Sequence, residues 1–399
     1  MADNDPIEDP NHWETATRLI RGGLARSPHG ETAEALYLTQ SFVYDSAESA
    51  DARFAGDEPG FVYSRYANPT VKMFEDRLAL LEGAEACRAV ASGMAAVHLA
   101  ISGLVKAGDH IIGAQAMFGS CRWILNNWAP RFGVETSLVP GADIAAWRAA
   151  VRPNTRLLFI ESPANPLLEI TDIAAVCALA KEIGAKVVVD NVFATPLFQK
   201  PLTLGADVVV YSATKHIDGQ GRVLGGAILG DTALLDEAYK DIMRHTGPAL
   251  SPFNAWVLLK GMETLDLRVR RQAETAAVLA DQIAAHPKVR ALRYPGRPDH
   301  PQYEIAQRQM TGGGTLIAMD LGDRVAAFNF LNALKIVDIS NNLGDAKSMA
   351  THPNTTTHRS MTEEQRLEIG LTEGWVRLSV GLEGAGDLAR DIGRALDAA

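Results

Sequence analysis

The chain is poor in cysteine. Cys87, Cys121 and Cys177 are the only three in 399 residues, and none forms a Cys-x-x-Cys pair. That excludes a disulfide framework and a zinc ribbon. Long apolar runs are also missing: none approaches the roughly 20 residues that span a bilayer. Basic charge is short, with 38 Lys and Arg against 48 Asp and Glu and a net charge of −10. No global footprint for nucleic acid exists at that balance. The opening stretch, MADNDPIEDPNH, lacks the positive start and apolar core of a signal peptide, so a cytoplasmic protein is expected. Certain motifs are absent as well. No Gly-x-Gly-x-x-Gly directly follows the first strand of the α/β region, which disfavours a dinucleotide, and no Gly-x-Ser-x-Gly elbow marks a serine hydrolase. His352 and His358 stand six apart between Thr and Pro, which reads as a loop and not a metal site.

What is present is a globular composition, 47% hydrophobic and 22% charged. Residues 1–65 carry no long periodic segment, and we read them as an arm or loop reaching a neighbouring subunit. From about 66 to 255 short apolar runs alternate with helical patterns. Strands are expected at ACRAVASG, HIIGA, VETSLVP, RLLFIESP, AKVVVD, DVVVYSA and VLGGAILG. SCRWILNNWAPRFG reads as a helix, and TDIAAVCALAKEIG as another capped by Thr171 or Asp172. Strands alternating with helices predict an α/β domain built on a mostly parallel sheet. Residues 256–399 read as a smaller α+β domain. It opens on one long helix through WVLLKGMETLDLRVRRQAETAAVLADQIAAH, bent near Gly261, and Gly312–Gly314 form a turn before a strand.

Three strand ends carry chemistry. Ligands in open α/β sheets bind beyond the carboxyl ends of the strands. VVVYSATKH delivers Ser212, Thr214 and Lys215 to that edge. Alone, Lys215 reads as a surface cation; desolvated, it becomes a nucleophilic amine suited to Schiff-base chemistry. AKVVVDN delivers Asp190, and ASGMAA places Ser92 and Gly93 where a strand hands over to a helix, an anion-binding arrangement. An amine, a carboxylate and a phosphate cradle on one edge are the set that pyridoxal 5′-phosphate requires.

With those residues in place, the chain resembles the Cys/Met-metabolism pyridoxal-phosphate enzymes, a group of synthases, lyases and homoserine-ester sulfhydrylases. The matching segments are YSRYANPT (63–70), ASGMAA (91–96), ESPANP (161–166), VVVDNVFATP (187–196), YSATKHIDGQG (211–221) and VRLSVGLEG (376–384). The segments at 214–230, 244–265 and 338–359 are most similar to the O-succinylhomoserine sulfhydrylase branch.

The resemblance implies the type I fold of pyridoxal-phosphate enzymes and a role for each matched residue. Lys215 would be the Schiff-base lysine and Asp190 the partner of the ring nitrogen. Gly93 and Met94 would bind phosphate through backbone amides, with Ser92 beside them and the Ser212 and Thr214 hydroxyls adding bonds. Tyr63 and Arg65 would reach the phosphate of the neighbouring subunit, within a homotetramer of dimers that share sites. Arg377 would clamp the substrate α-carboxylate, with Asn165 near it and near the cofactor. Phe118 stands where the lyases carry a ring-stacking Tyr, and Asn342 where they carry Ser. Both departures point away from methionine γ-lyase. The implied reaction is the exchange of succinate for sulfide on O-succinylhomoserine. The neighbouring alternatives are the acetyl ester, cysteine as nucleophile, or a lyase. Arg53, Arg122 and Thr355–Thr357 are candidates for the leaving acyl group by position alone.

Overall fold

A computed structural model describes residues 7–399. Seven strands form the larger sheet: β1 Ala86–Val90, β2 His110–Ala114, β3 Glu135–Val139, β4 Thr155–Glu161, β5 Lys186–Asp190, β6 Val208–Ser212 and β7 Gly226–Gly230. Their spatial order is β1-β7-β6-β5-β4-β2-β3. The pairs β2–β3, β2–β4, β4–β5 and β5–β6 are parallel, while β7 runs antiparallel to both neighbours. The middle strands are apolar on both faces because helices cover both, and Val187–Val189 and Val208–Val210 are buried throughout. VLGGAILG thus forms a strand as expected, but an antiparallel one. The short link Ala213–Gly225 returns directly as a hairpin-like connection, with no crossover helix to reverse its direction.

The smaller sheet has five strands: β8 Ala291–Arg293, β9 Leu316–Asp320, β10 Asp338–Ile339, β11 Met349–Thr351 and β12 Trp375–Ser379, in the order β10-β11-β12-β9-β8. The helices Leu265–Ala284, Arg324–Ala333 and Ala385–Ala398 pack one face of it around Ile317, Phe330, Leu378 and Ile392.

Several expectations need correction. The long C-terminal helix is two helices, Pro252–Met262 and Leu265–Ala284. The Gly261 carbonyl accepts from the Thr264 N–H and from the Arg268 guanidinium (2.8 Å) instead of continuing the helical ladder. The segment read as a helix from Ser120 divides into the helix Gly119–Trp123, a π turn at Ile124–Trp128 and a 3-10 turn at Ala129–Phe132 that contains Pro130. The N-terminal region is not wholly irregular, since Thr15–Arg21 and Ala47–Ala55 are helical. Asp172, not Thr171, caps the helix Ile173–Ile183 by accepting from Ala175 N–H. Gly314 takes φ +79° before β9, the turn geometry expected of the triple glycine.

Candidate active site

β4, β5 and β6 all end at one edge of the larger sheet, and the residues that follow line a cavity of about 230 Å³. Ser92, Gly93, Met94, Phe118, Asn165, Asp190, Ser212, Thr214, Lys215 and Arg377 all border it. Arg377 comes from β12 of the other sheet, so both sheets build the site. Asn342 reaches it through Lys215, whose Nζ donates to Asn342 Oδ1 at 2.5 Å. Tyr63 and Arg65 stand apart from it. Tyr63 is exposed, and Arg65 is half-buried, donates to the Arg244 carbonyl and lies over the rings of Tyr63 and Tyr66.

Lys215 sits on the turn after β6. Burial, with repulsion from Arg377 second, lowers its pKa to about 8. A neutral, nucleophilic amine is therefore accessible near neutral pH. Asp190 is the last residue of β5, buried, with Oδ1 accepting from Val192 N–H at 3.1 Å. Burial pushes its carboxyl upward. Beneath it, Asn191 donates to the Tyr211 hydroxyl (2.6 Å), Gln199 donates to Asn191 Oδ1 (2.8 Å), and Tyr211 donates to Glu82 (2.6 Å). This polar layer fixes the loop that follows Asp190, with only Glu82 Oε1 in it left without a partner.

One end of the cavity is a helix N-terminus. Ser92 caps the helix Gly93–Ser102 by accepting from Ala95 N–H, and the first-turn N–H groups of Gly93 and Met94 have no intrahelical acceptor. A Cβ at Gly93 would lie 2.5 Å from that of Ser212, so only glycine lets the helix start approach the end of β6 this closely. Thr214 Oγ1 donates to Gly225 O (3.2 Å) and accepts from Gly225 N–H (3.1 Å), so it braces the turn while facing the cavity. A cradle of N–H groups, a buried carboxylate and a lowered amine fit the phosphate, ring nitrogen and aldehyde of pyridoxal phosphate.

Opposite Lys215, Arg377 is 2% exposed. It donates to Asn165 Oδ1 at 2.7 Å and to Asn341 O at 2.9 Å, and it lies over the Phe193 ring. Burial lowers its pKa to about 10, which still leaves it charged at neutral pH. Two of its five N–H donors are spent on orientation, leaving the rest for a carboxylate.

Of the residues considered for the acyl group, Thr357 alone lines the cavity, and its hydroxyl meets buried His358 Nδ1 at 2.8 Å. Arg53 pairs with Glu58, and Arg122 is turned to the Gln115 carbonyl and Glu368. His352 bonds the Glu373 carbonyl and Thr355 in the loop around the 3-10 turn Pro353–Thr355, as a structural residue. Residue-by-residue reading missed Glu161. It ends β4, lines the cavity, and could have been found by the same strand-end rule that selected Asp190.

Comparison with known proteins gives the same direction. The model of the family described as Cys/Met metabolism PLP-dependent enzyme matches residues 16–397. A protein of Mycobacterium tuberculosis named O-succinylhomoserine sulfhydrylase is 55% identical over 392 residues, 97% of each chain. One of the same name from Pseudomonas aeruginosa is 46% identical over 96% of this chain and 95% of its own. An L-methionine gamma-lyase of Pseudomonas putida is 42% identical over 96% of this chain and 97% of its own. Among solved structures, a putative O-acetylhomoserine (thiol)-lyase from Campylobacter jejuni, holding a pyridoxyl-lysine phosphate, superposes with a TM-score of 0.93. It is 28% identical and covers 96% of this chain and 100% of its own. The chain therefore belongs to the Cys/Met-metabolism family of pyridoxal-phosphate-dependent enzymes.

Proposed function

We propose that this enzyme replaces the succinyloxy group on Cγ of O-succinylhomoserine by sulfide, giving homocysteine and succinate. The supporting observation is its likeness, at 55% and 46% identity over nearly whole chains, to proteins named for that activity. One cavity residue and one neighbour of Lys215 agree with it. Phe118 offers a stacking face without the phenol that could move a proton, and Asn342 places a carboxamide on the Lys215 amine.

The bound cofactor supplies an electron sink for the bond broken at Cα. The chain's own residues do the rest. The Gly93 and Met94 N–H groups would hold the phosphate, with the Ser212 and Thr214 hydroxyls beside them. Asp190 would keep the ring nitrogen protonated, and Phe118 would cover one ring face. Arg377, fixed by Asn165 and Asn341, grips the substrate carboxylate and so sets which Cα bond faces Lys215. Lys215, whose pKa burial lowers to about 8, would take the Cα proton and help move protons at Cα and Cβ. The Cγ–O bond breaks with its electron pair going to succinate, and hydrosulfide forms the new Cγ–S bond.

Two chains share each site in this reading. Tyr63 and Arg65 lie outside the cavity of their own chain, and we assign them to the phosphate of a partner's. The test of the reaction is stoichiometry. With saturating sulfide, succinate and homocysteine should appear in equal amounts. Succinate accompanied by oxobutyrate and ammonia instead of homocysteine would refute it.

A further inference from the structure

Glu161 carries no role in the reaction as set out above, yet it is one of the most deliberately held groups in the cavity. It ends β4 directly opposite Asp190, which ends β5, and the two residues are paired in register. Neighbouring parallel strands point paired residues to the same side of a sheet, so two carboxylates lie side by side at the cavity floor. Their oxygens are within 4.8 Å of one another. Both are buried, Glu161 to 4% exposure. Burying a second carboxylate there is costly unless something holds it. What holds it is specific. Glu161 Oε2 accepts from Phe118 N–H at 2.6 Å, and Oε1 accepts from Asn165 N–H at 2.8 Å.

Those two donors belong to the residues that matter on either wall. Phe118 is the ring that covers the cofactor, and Asn165 is the residue whose side chain fixes the Arg377 guanidinium. One side chain therefore ties the loop after β2 to the loop after β4. Arg377 also attracts it, against the upward push of burial and of Asp190.

We propose that Glu161 is a positioning residue with two linked effects: it fixes Phe118 and Asn165 through their N–H groups, and its negative charge beside Asp190 favours a protonated cofactor ring nitrogen. This deepens the reading above and rests on the ring nitrogen meeting Asp190. Burial pushes both carboxyls upward, and repulsion from Asp190 adds to the rise at Glu161. A bound pyridinium would supply the positive charge that lets both stay ionised. Glu161 touches neither cofactor nor substrate in this account and acts only through its neighbours.

The test compares Glu161→Gln, Glu161→Asp and Asp190→Asn with the parent enzyme. Each apoprotein is titrated with pyridoxal phosphate carrying nitrogen-15 in the ring, and the ring-nitrogen NMR signal is recorded for each loaded enzyme. Glutamine keeps the length but loses the charge and sets an NH2 against one backbone donor. It should weaken cofactor binding by roughly ten- to hundredfold and move the ring signal toward the unprotonated position. Aspartate keeps the charge but not the reach. It should leave the ring signal at the protonated position while raising KM for the homoserine ester, because Asn165 no longer holds Arg377 in place. That arm decides the question even if the glutamine variant does not fold. Parent-like cofactor affinity and ring signal in Glu161→Gln, or parent-like KM in Glu161→Asp, would overturn the proposal. Asp190→Asn separates the two readings. If it leaves the ring signal unchanged, the placement of the ring at Asp190 fails, and the Glu161 proposal falls with it. If it shifts the signal while Glu161→Gln does not, only the Glu161 proposal falls.

Discussion

Replacing Arg377 by lysine separates charge from geometry at the substrate end of the cavity. The guanidinium is held at two points, Asn165 Oδ1 at 2.7 Å and Asn341 O at 2.9 Å, and is almost wholly buried. Its remaining donors are therefore aimed and not free to search. A planar fork grips a carboxylate through two parallel bonds, whereas an ammonium offers one compact charge. Arg377→Lys keeps the attraction and loses one charge-assisted bond to substrate, worth roughly 1.5–3 kcal/mol. At about 1.4 kcal/mol per decade, kcat/KM should fall roughly 10- to 150-fold. The loss should appear mainly in KM, because the carboxylate is bound before and during the reaction. Cofactor affinity should not change, since Arg377 is assigned no contact with the cofactor. Steady-state kinetics on O-succinylhomoserine, with a parallel cofactor titration, reads both quantities. A kcat/KM within about threefold of the parent would refute the reasoning, as would a fall caused by cofactor loss.

Other perturbations test other parts of the account. In the apoprotein, burial lowers the Lys215 pKa from 10.5 to about 8, so the folded state binds fewer protons than the unfolded state between those values. The penalty of burying a charged Lys215 is thus complete below pH 8 and disappears as pH rises towards 10.5. Lys215→Met should be more stable than the parent by on the order of 2–3 kcal/mol below pH 8, and urea unfolding should show the gap closing by pH 10.5. Lys215→Ala and Arg65→Ala should each be nearly inactive. Unfolded and refolded together, they should recover about a quarter of parental activity, because half the dimers are hybrids and each hybrid has one intact site; no recovery would place Arg65 in its own chain's site. Phe118→Tyr restores a phenol beside the cofactor, and should raise oxobutyrate release in the absence of sulfide by roughly tenfold or more.

Much of the site was legible because its parts sit at strand ends. Val208–Val210 and Val187–Val189 read as buried strands of an alternating α/β pattern, which puts Lys215 and Asp190 at one edge. Gly93 was legible for the same reason, as the start of a helix after β1. Three kinds of information were not local and stayed hidden. Strand direction was one: VLGGAILG has the same apolar texture whether parallel or antiparallel, and only the short link from β6 decides it. Helix continuity was another, since the break after Met262 depends on Arg268 reaching back to the Gly261 carbonyl. The third was Glu161. RLLFIESP puts it at a strand end, but its significance lies in the N–H groups of Phe118 and Asn165 that converge on it, which no local pattern shows. The resemblance to a family supplied Arg377 and Asn165, whose meeting across 212 residues no periodicity could have shown.

The most direct measurement of the central claim is a competition. The cofactor-loaded enzyme receives O-succinylhomoserine with sulfide and cysteine together at equal concentration, and the products are identified by mass. The account predicts homocysteine as the main product, with succinate released in equal amount. Cystathionine as the main product, or oxobutyrate with ammonia, would contradict it.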